Sequence, residues 1–351
     1  MNNAKKHIII GLLATVVAFA ACTKKLDLPD IPHEKKITLI AELVANDSFY
    51  MRAGQSLPLT KNSSLYFDLL QNMKLIVEPT GLPAFTLTEY AEEFTGQTYT
   101  LPFASSQKVL ANTTYNITAN HVDVGTATAK ITIPAPFTAL LKDTAHIQYS
   151  SADAIQADIT INDDATGEHY YVIEVLKQIV NIRNLFYYNN QWLDVTVPAY
   201  KITYDSLVAA GVQVQKYSDT TFQRAYTRQG VYTNDPNTEN VKDGDIFAMN
   251  KRILLKDNYF NSQNYTTRVI IRNTVSEFEE EARKGVVHIM VKSVPKEYFE
   301  FLKAYEQYDP SVGFNSLAPP VKLIGNVQNG LGMVGAAYEV RFSYWFDTWG
   351  F

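Results

Sequence analysis

The chain has 351 residues, a formal net charge of −5, and 46% hydrophobic and 19% charged residues. This is an ordinary globular composition, long enough to bury a core without disulfide staples. Its lysines and arginines are scattered through an acidic chain, which excludes the basic footprint that nucleic-acid binding requires. With 22 Tyr, 18 Phe and 3 Trp, the composition favours half-buried pleated surfaces over helices.

The first element is a leader. Lys5 and Lys6 supply positive charge, and Ile8 to Ala21 is an uncharged run interrupted only by Gly11 and Thr15. The run falls short of the about 20 apolar residues of a membrane span and suits the apolar region of a secretory signal. It ends in Phe19-Ala20-Ala21-Cys22, which resembles the lipobox of bacterial lipoproteins. Residues 1–21 therefore read as a signal peptide and Cys22 as the lipidation site. The cysteine thiolate accepts a diacylglyceryl group as a thioether, and the small residues before it let the peptidase reach the bond. A further acyl chain such as palmitate on the freed amine makes the anchor stable where one signal is marginal. Cys22 is the chain's single cysteine, so no internal disulfide is available. Loss of the leader removes Lys5 and Lys6 and shifts the formal charge from −5 to −7.

Residues 22–36 read as a lipidated tether, charged and carrying Pro29 and Pro32. An Asp directly after the cysteine and the short acidic run of a surface-export tag are both absent, and Lys24 and Lys25 stand there instead. The periplasmic and outer faces of the outer membrane both remain open.

From Ile37 the chain alternates in short bursts. ITLIAELV predicts a first strand, with Ile37, Leu39 and Ala41 on one face. Further strands are expected over Leu65–Leu70, Lys74–Glu78, Gln97–Leu101, Thr114–Ala119 and Ala127–Ile133, separated by turn residues. That count predicts an immunoglobulin-like or transthyretin-like β-sandwich over residues 37–134. Pro134 and Pro136 stop it, because prolines do not sit in central strands. A larger, mainly β domain with one amphipathic helix is expected over residues 137–351. Ala157–Asn162 and His169–Leu176 read as a hairpin around Asp163 to Gly167. Tyr265 to Arg272 and Val286 to Val291 read as strands. Pro295 opens the helix, whose apolar face is Tyr298, Phe301, Leu302 and Tyr305, and Asp309-Pro310 ends it. A stretch rich in Pro and Gly from Asp309 to Gly335 reads as a long structured loop, and Tyr338 to Asp347 as a closing strand.

Motifs for chemistry are sparse. The six histidines share no ligand spacing, so no metal site is expected, and His288 reads as a satisfied strand residue. GLGMVG, residues 330–335, fits the dinucleotide glycine spacing but is followed by a strand, so it reads as a glycine turn and no nucleotide cofactor is expected. Asp235, Asn237 and Glu239, with Asp243 and Asp245, have the alternating oxygens of a calcium loop. Asn240 and Ile246 stand where that template needs Gly and Glu, which favours a polar surface loop. Tyr187, Tyr188 and Trp192 around Asn189-Asn190 are candidate ligand contacts, since such rings stack on sugars beside hydrogen-bonding amides; a strand–turn–strand core reading is the alternative. Phe314 and Leu317 in the 309–335 loop are candidate partner contacts, with closure of the core as the alternative.

Three stretches resemble a known family, the Bacteroidota lipoproteins grouped as the domain of unknown function numbered 4249. They are the Leu26-Asp27-Leu28-Pro29 tether with ITLIAELVAND, the IPAPF hinge, and VVHIMVKSVPKEYFEFLKAYEQY followed by NSLAPPVKLIGNVQNGLGMVGA, with Asn326, Gly330 and Gly332. The resemblance implies an accessory of TonB-dependent outer-membrane transporters, with no catalytic residues to carry over; the expectation is a non-enzymatic, lipid-anchored binding protein without a cofactor. An independent carbohydrate- or glycan-binding lipoprotein is the alternative.

Overall fold

The computed structural model describes residues 34–56, 70–89, 100–149, 152–163, 167–240, 250–260, 263–272, 284–307 and 322–347. The protein is mainly β, with a long mixed sheet and a second small one.

The N-terminal half is built on alternation. In β1 (Ile37–Val44), Ile37, Leu39 and Leu43 are buried and Ile40 points out. β2 (Ser48–Gln55) repeats the pattern with Phe49, Met51 and Ala53. β3 (Lys74–Pro79), β4 (Phe85–Glu89), β5 (Thr100–Lys108), β6 (Thr114–His121) and β7 (Gly125–Thr132) follow, paired in the order β1-β2-β5-β4-β3-β6-β7. Their inward side chains form one core in which Phe49 meets Phe85 and Tyr115 edge-to-face, with ring centroids at 5.0 and 5.1 Å. The Leu65–Leu70 and Gln97–Leu101 predictions lie largely outside the described residues.

Beyond the proline hinge, β8 (Thr138–Tyr149), β9 (Ala152–Asn162), β13 (Val231–Tyr232) and β15 (Asn264–Arg272) make the small sheet, ordered β13-β15-β9-β8. The long sheet continues through β10 (Tyr170–Tyr188), β11 (Gln191–Asp194), β12 (Lys216–Arg228), β14 (Arg252–Lys256), β16 (Lys284–Val294) and β18 (Leu331–Asp347). The predicted β9–β10 hairpin does not form: β9 pairs with β8 and β15, whereas β10 pairs with β11, β12, β14 and β16. The reason is that the start of β10 is apolar on both faces. Tyr171, Ile173 and Val175 enter the core under the small sheet, while Tyr170 and Val172 pack on the other side, so the strand belongs in a sheet interior.

The predicted helix is α2 (Lys296–Gln307), and Tyr170 meets its Phe299 at 5.0 Å. Pro295 lies just before it and accepts the Phe299 N–H bond at 3.0 Å. Another helix, α1 (Pro198–Ala209), escapes the periodicity reading because no residue in it is buried and its apolar side chains surround it.

β18 joins the two halves. Its first part, Leu331 to Ala337, lies parallel to β1, and its second, Tyr338 to Asp347, is antiparallel to β16. β17 (Val327–Gln328) adds to β7. The sandwich expected over residues 37–134 is thus completed by C-terminal strands, with Val334 and Ala336 inside its core. The predicted 309–335 loop is corrected over residues 327–328 and 331–335, which are strand: GLGMVG is a place where strands approach closely. A Cβ on Gly332 would sit 2.0 Å from the Leu39 carbonyl oxygen, and one on Gly330 would sit 2.6 Å from that of Ile37.

A charge network centred on the buried Lys292, Glu174 and Arg252 spans the same junction. Lys292 Nζ donates to both Glu42 oxygens at 2.9 Å and to Glu174 Oε2 at 2.8 Å. Glu174 Oε1 accepts from Arg252 Nε at 2.9 Å and also from Arg228. Arg252 continues to Glu306 of α2, and Arg341 to Glu339. Burial alone would keep the Glu174 carboxyl protonated, but Lys292, Arg228 and Arg252 outweigh it and hold the carboxyl far below the usual range.

Candidate functional site

The aromatic patch marked in the sequence forms one end of the long sheet. Asn189 and Asn190 have φ of 48° and 61°, as a two-residue type I′ turn requires, and they reverse β10 into β11. The register sets Tyr187 opposite Trp192, with ring centroids 5.3 Å apart. β12 brings Tyr217 against Trp192 at 6.1 Å, edge-to-face. Trp192 is 43% exposed and Tyr217 55%, so the rings form a solvent-facing cluster. Strand alternation puts the Arg183–Asp219 ion pair, 2.6 Å long, on the same face.

The opposite face fixes this cluster in place. Phe186 is fully buried and packs on Tyr204 of α1 at 5.3 Å, with Lys216 Nζ over the Tyr204 ring at 5.1 Å. Tyr188 alternates to that side and is half-buried. The structure therefore unites Tyr187 and Trp192 and turns Tyr188 away. It adds Tyr217, which the sequence reading missed because the only local signal is alternation in the KYSDTTF stretch. The rigid two-χ rings of Tyr and Trp offer contact area at low entropy cost, and the neighbouring ion pair supplies polar partners.

A second exposed row crosses the sheet. Phe222 meets Trp345 at 5.9 Å, and Tyr226 meets His288 at 5.7 Å. His288 contacts Ser343 Oγ at 3.0 Å, and burial followed by the nearby Arg341 charge lowers its pKa. It is a bonded strand residue.

The loop with alternating oxygens is braced internally. Asp235 Oδ1 accepts the Asn237 N–H at 2.9 Å and the Tyr265 hydroxyl, and Glu239 pairs with Lys303 at 2.6 Å. Asp243 and Asp245 lie outside the described residues, as do Cys22, Phe314 and Leu317.

A family model described as Domain of unknown function (DUF4249) matches residues 24–343. The chain belongs to this family. The DUF4249 match runs from the tether through the sandwich, the proline hinge and α2 into β18, across both halves that β18 joins. No curated protein matches the chain.

Proposed function

We propose that this DUF4249 protein is a lipid-anchored, non-enzymatic binding protein of the outer membrane that partners a TonB-dependent transporter in nutrient capture. The lipobox at Phe19 to Cys22 carries the location. Lys36 lies fourteen residue steps beyond Cys22, a reach of about 45–50 Å when extended, which lets the body sit clear of the lipid and meet a neighbour in the same membrane. The exposed Tyr187–Trp192–Tyr217 cluster on its rigid backing supports binding as the activity. The transporter as partner rests on the family resemblance.

The anchor is tested by Cys22→Ser. Acyl transfer needs the thiol, so the variant accumulates as an unacylated precursor with its leader attached. Recovery of a processed, acylated variant in the detergent phase overturns the assignment.

For the binding face, Trp192→Ala with Tyr217→Ala is expected to weaken recovery of a β-barrel partner by about 30-fold or more, as loss of paired aromatic contacts of at least 2 kcal/mol implies. The melting temperature should change little, because both rings are exposed. The cluster also favours a second reading, glycan binding, since such rings stack on sugars. A glycan-array signal lost in the same double variant, without any barrel partner, decides for it.

A further inference from the structure

Away from the aromatic face, two residues that bound one short connection meet a third from 88 positions further on, at the crossing between the two sheets. Asp163 directly follows β9, His169 directly precedes β10, and Asp257 follows β14 at the start of a short 3₁₀ turn. His169 Nδ1 lies 3.1 Å from Asp163 Oδ1 and 3.4 Å from Asp257 Oδ2, and the three donor atoms all lie within 4.8 Å of one another. Both carboxylates are essentially fully buried, with side-chain exposures of 0% and 2%. From these residues we infer a binding site for one divalent first-row transition ion, of the Zn²⁺ type.

Geometry is the main argument. At metal–ligand bonds of about 2.0–2.1 Å, tetrahedral donors stand about 3.3 Å apart, which is the spacing from His169 to each carboxylate. One imidazole nitrogen with two carboxylate oxygens is a donor set such an ion accepts. Supporting bonds orient the ligands: Tyr171 OH donates to Asp163 Oδ1 at 2.6 Å, and the His169 backbone N–H donates to Asp257 Oδ2 at 2.7 Å. Two buried carboxylates in one small space also repel. A dication bound between them would relieve that repulsion.

The histidine also lines a cavity of about 550 Å³ between the proline hinge and the start of α2, walled by Pro134, Pro136, Phe137, Tyr170 and Lys296 among others. Three protein donors leave a coordination position for a water or an oxygen-bearing ligand, and this cavity is the space beside the histidine that can admit one. Because its donors come from β9 on one sheet and from β10 and β14 on the other, a bound ion would also staple the sheets together.

The test is a titration of the tag-free, chelator-treated full chain with Zn²⁺ alone, followed by calorimetry and melting. One equivalent per chain and a melting temperature that rises with Zn²⁺ and falls back on adding chelator are expected. His169→Gln should lower the affinity at least 100-fold, and Tyr171→Phe about 10–100-fold through loss of the orienting bond. His169 is partly exposed, so its variant keeps the fold, verified by circular dichroism, even if Asp257→Asn does not. Failure of the native chain to take up one equivalent, or unchanged affinity in His169→Gln, overturns the site. Neither outcome bears on the membrane anchor or the aromatic face.

Discussion

Lys292→Met is expected to lower folding stability by about 3–5 kcal/mol, the cost of breaking a buried ion pair from one side. The ammonium is 5% exposed and is the cation shared by Glu42 and Glu174. Methionine fills much of the same volume, so the loss is electrostatic: Glu174 keeps its burial without the Lys292 charge, and the more exposed Glu42 loses its bidentate partner. Urea unfolding at pH 7 measures it, and a loss under about 1 kcal/mol would show that the remaining arginines suffice. Adding Glu174→Gln to Lys292→Met should recover part of the loss, since removing both members of a buried pair costs less than removing one. The native protein should also be acid-sensitive. The folded pKa of Glu174 lies well below the ordinary glutamate value, so its contribution is complete above that value and is lost as pH falls below it toward the folded pKa. Lys292→Met removes the first of the charges that hold that pKa down, so its stability should depend less on pH in this window.

Gly332→Ala should cost about 2–6 kcal/mol, combining 1–3 of backbone strain with 1–3 of steric overpacking. Gly332 has φ of 109°, and its added Cβ would lie 2.0 Å from the Leu39 carbonyl oxygen and 2.9 Å from its carbon. These are backbone atoms of the neighbouring strand, so relief requires β1 and β18 to separate. Separation would pull Val334 and Ala336 out of the N-terminal core. Gly125→Ala is the control: φ is 95° there but the space around it is open, so only the conformational cost of about 1–2 kcal/mol applies. Equal losses at the two positions would show that strand contact is not the cause.

The aromatic end of the sheet was half legible. Asn189-Asn190 between apolar runs is a local turn signal, so the Tyr187–Trp192 facing pair follows from the hairpin register. Tyr217 joins through β12, and which of many tyrosines faces those rings depends on a long-range register with a bulge in it. The His169 cluster was not legible. Spacing along the chain detects ligands carried on one helix or loop; Asp163 and His169 bound one connection, but Asp257 joins them from the end of a different strand 88 positions on.

By itself the sequence determined the β-rich class, α2, the Ile37–Leu39 inward face of β1, strands at β6, β7 and β15, the break at Pro134–Pro136, and kinship with the family. Those features follow from local alternation, helical period and backbone stereochemistry, which act within about ten residues. Only the tertiary structure decided that β9 and β10 part into different sheets, that residues 331–337 complete the N-terminal core, and that one lysine balances glutamates from β1 and β10. Strand partners are chosen by how two-sided burial and charge compensation balance over the whole molecule, and no local pattern carries that information.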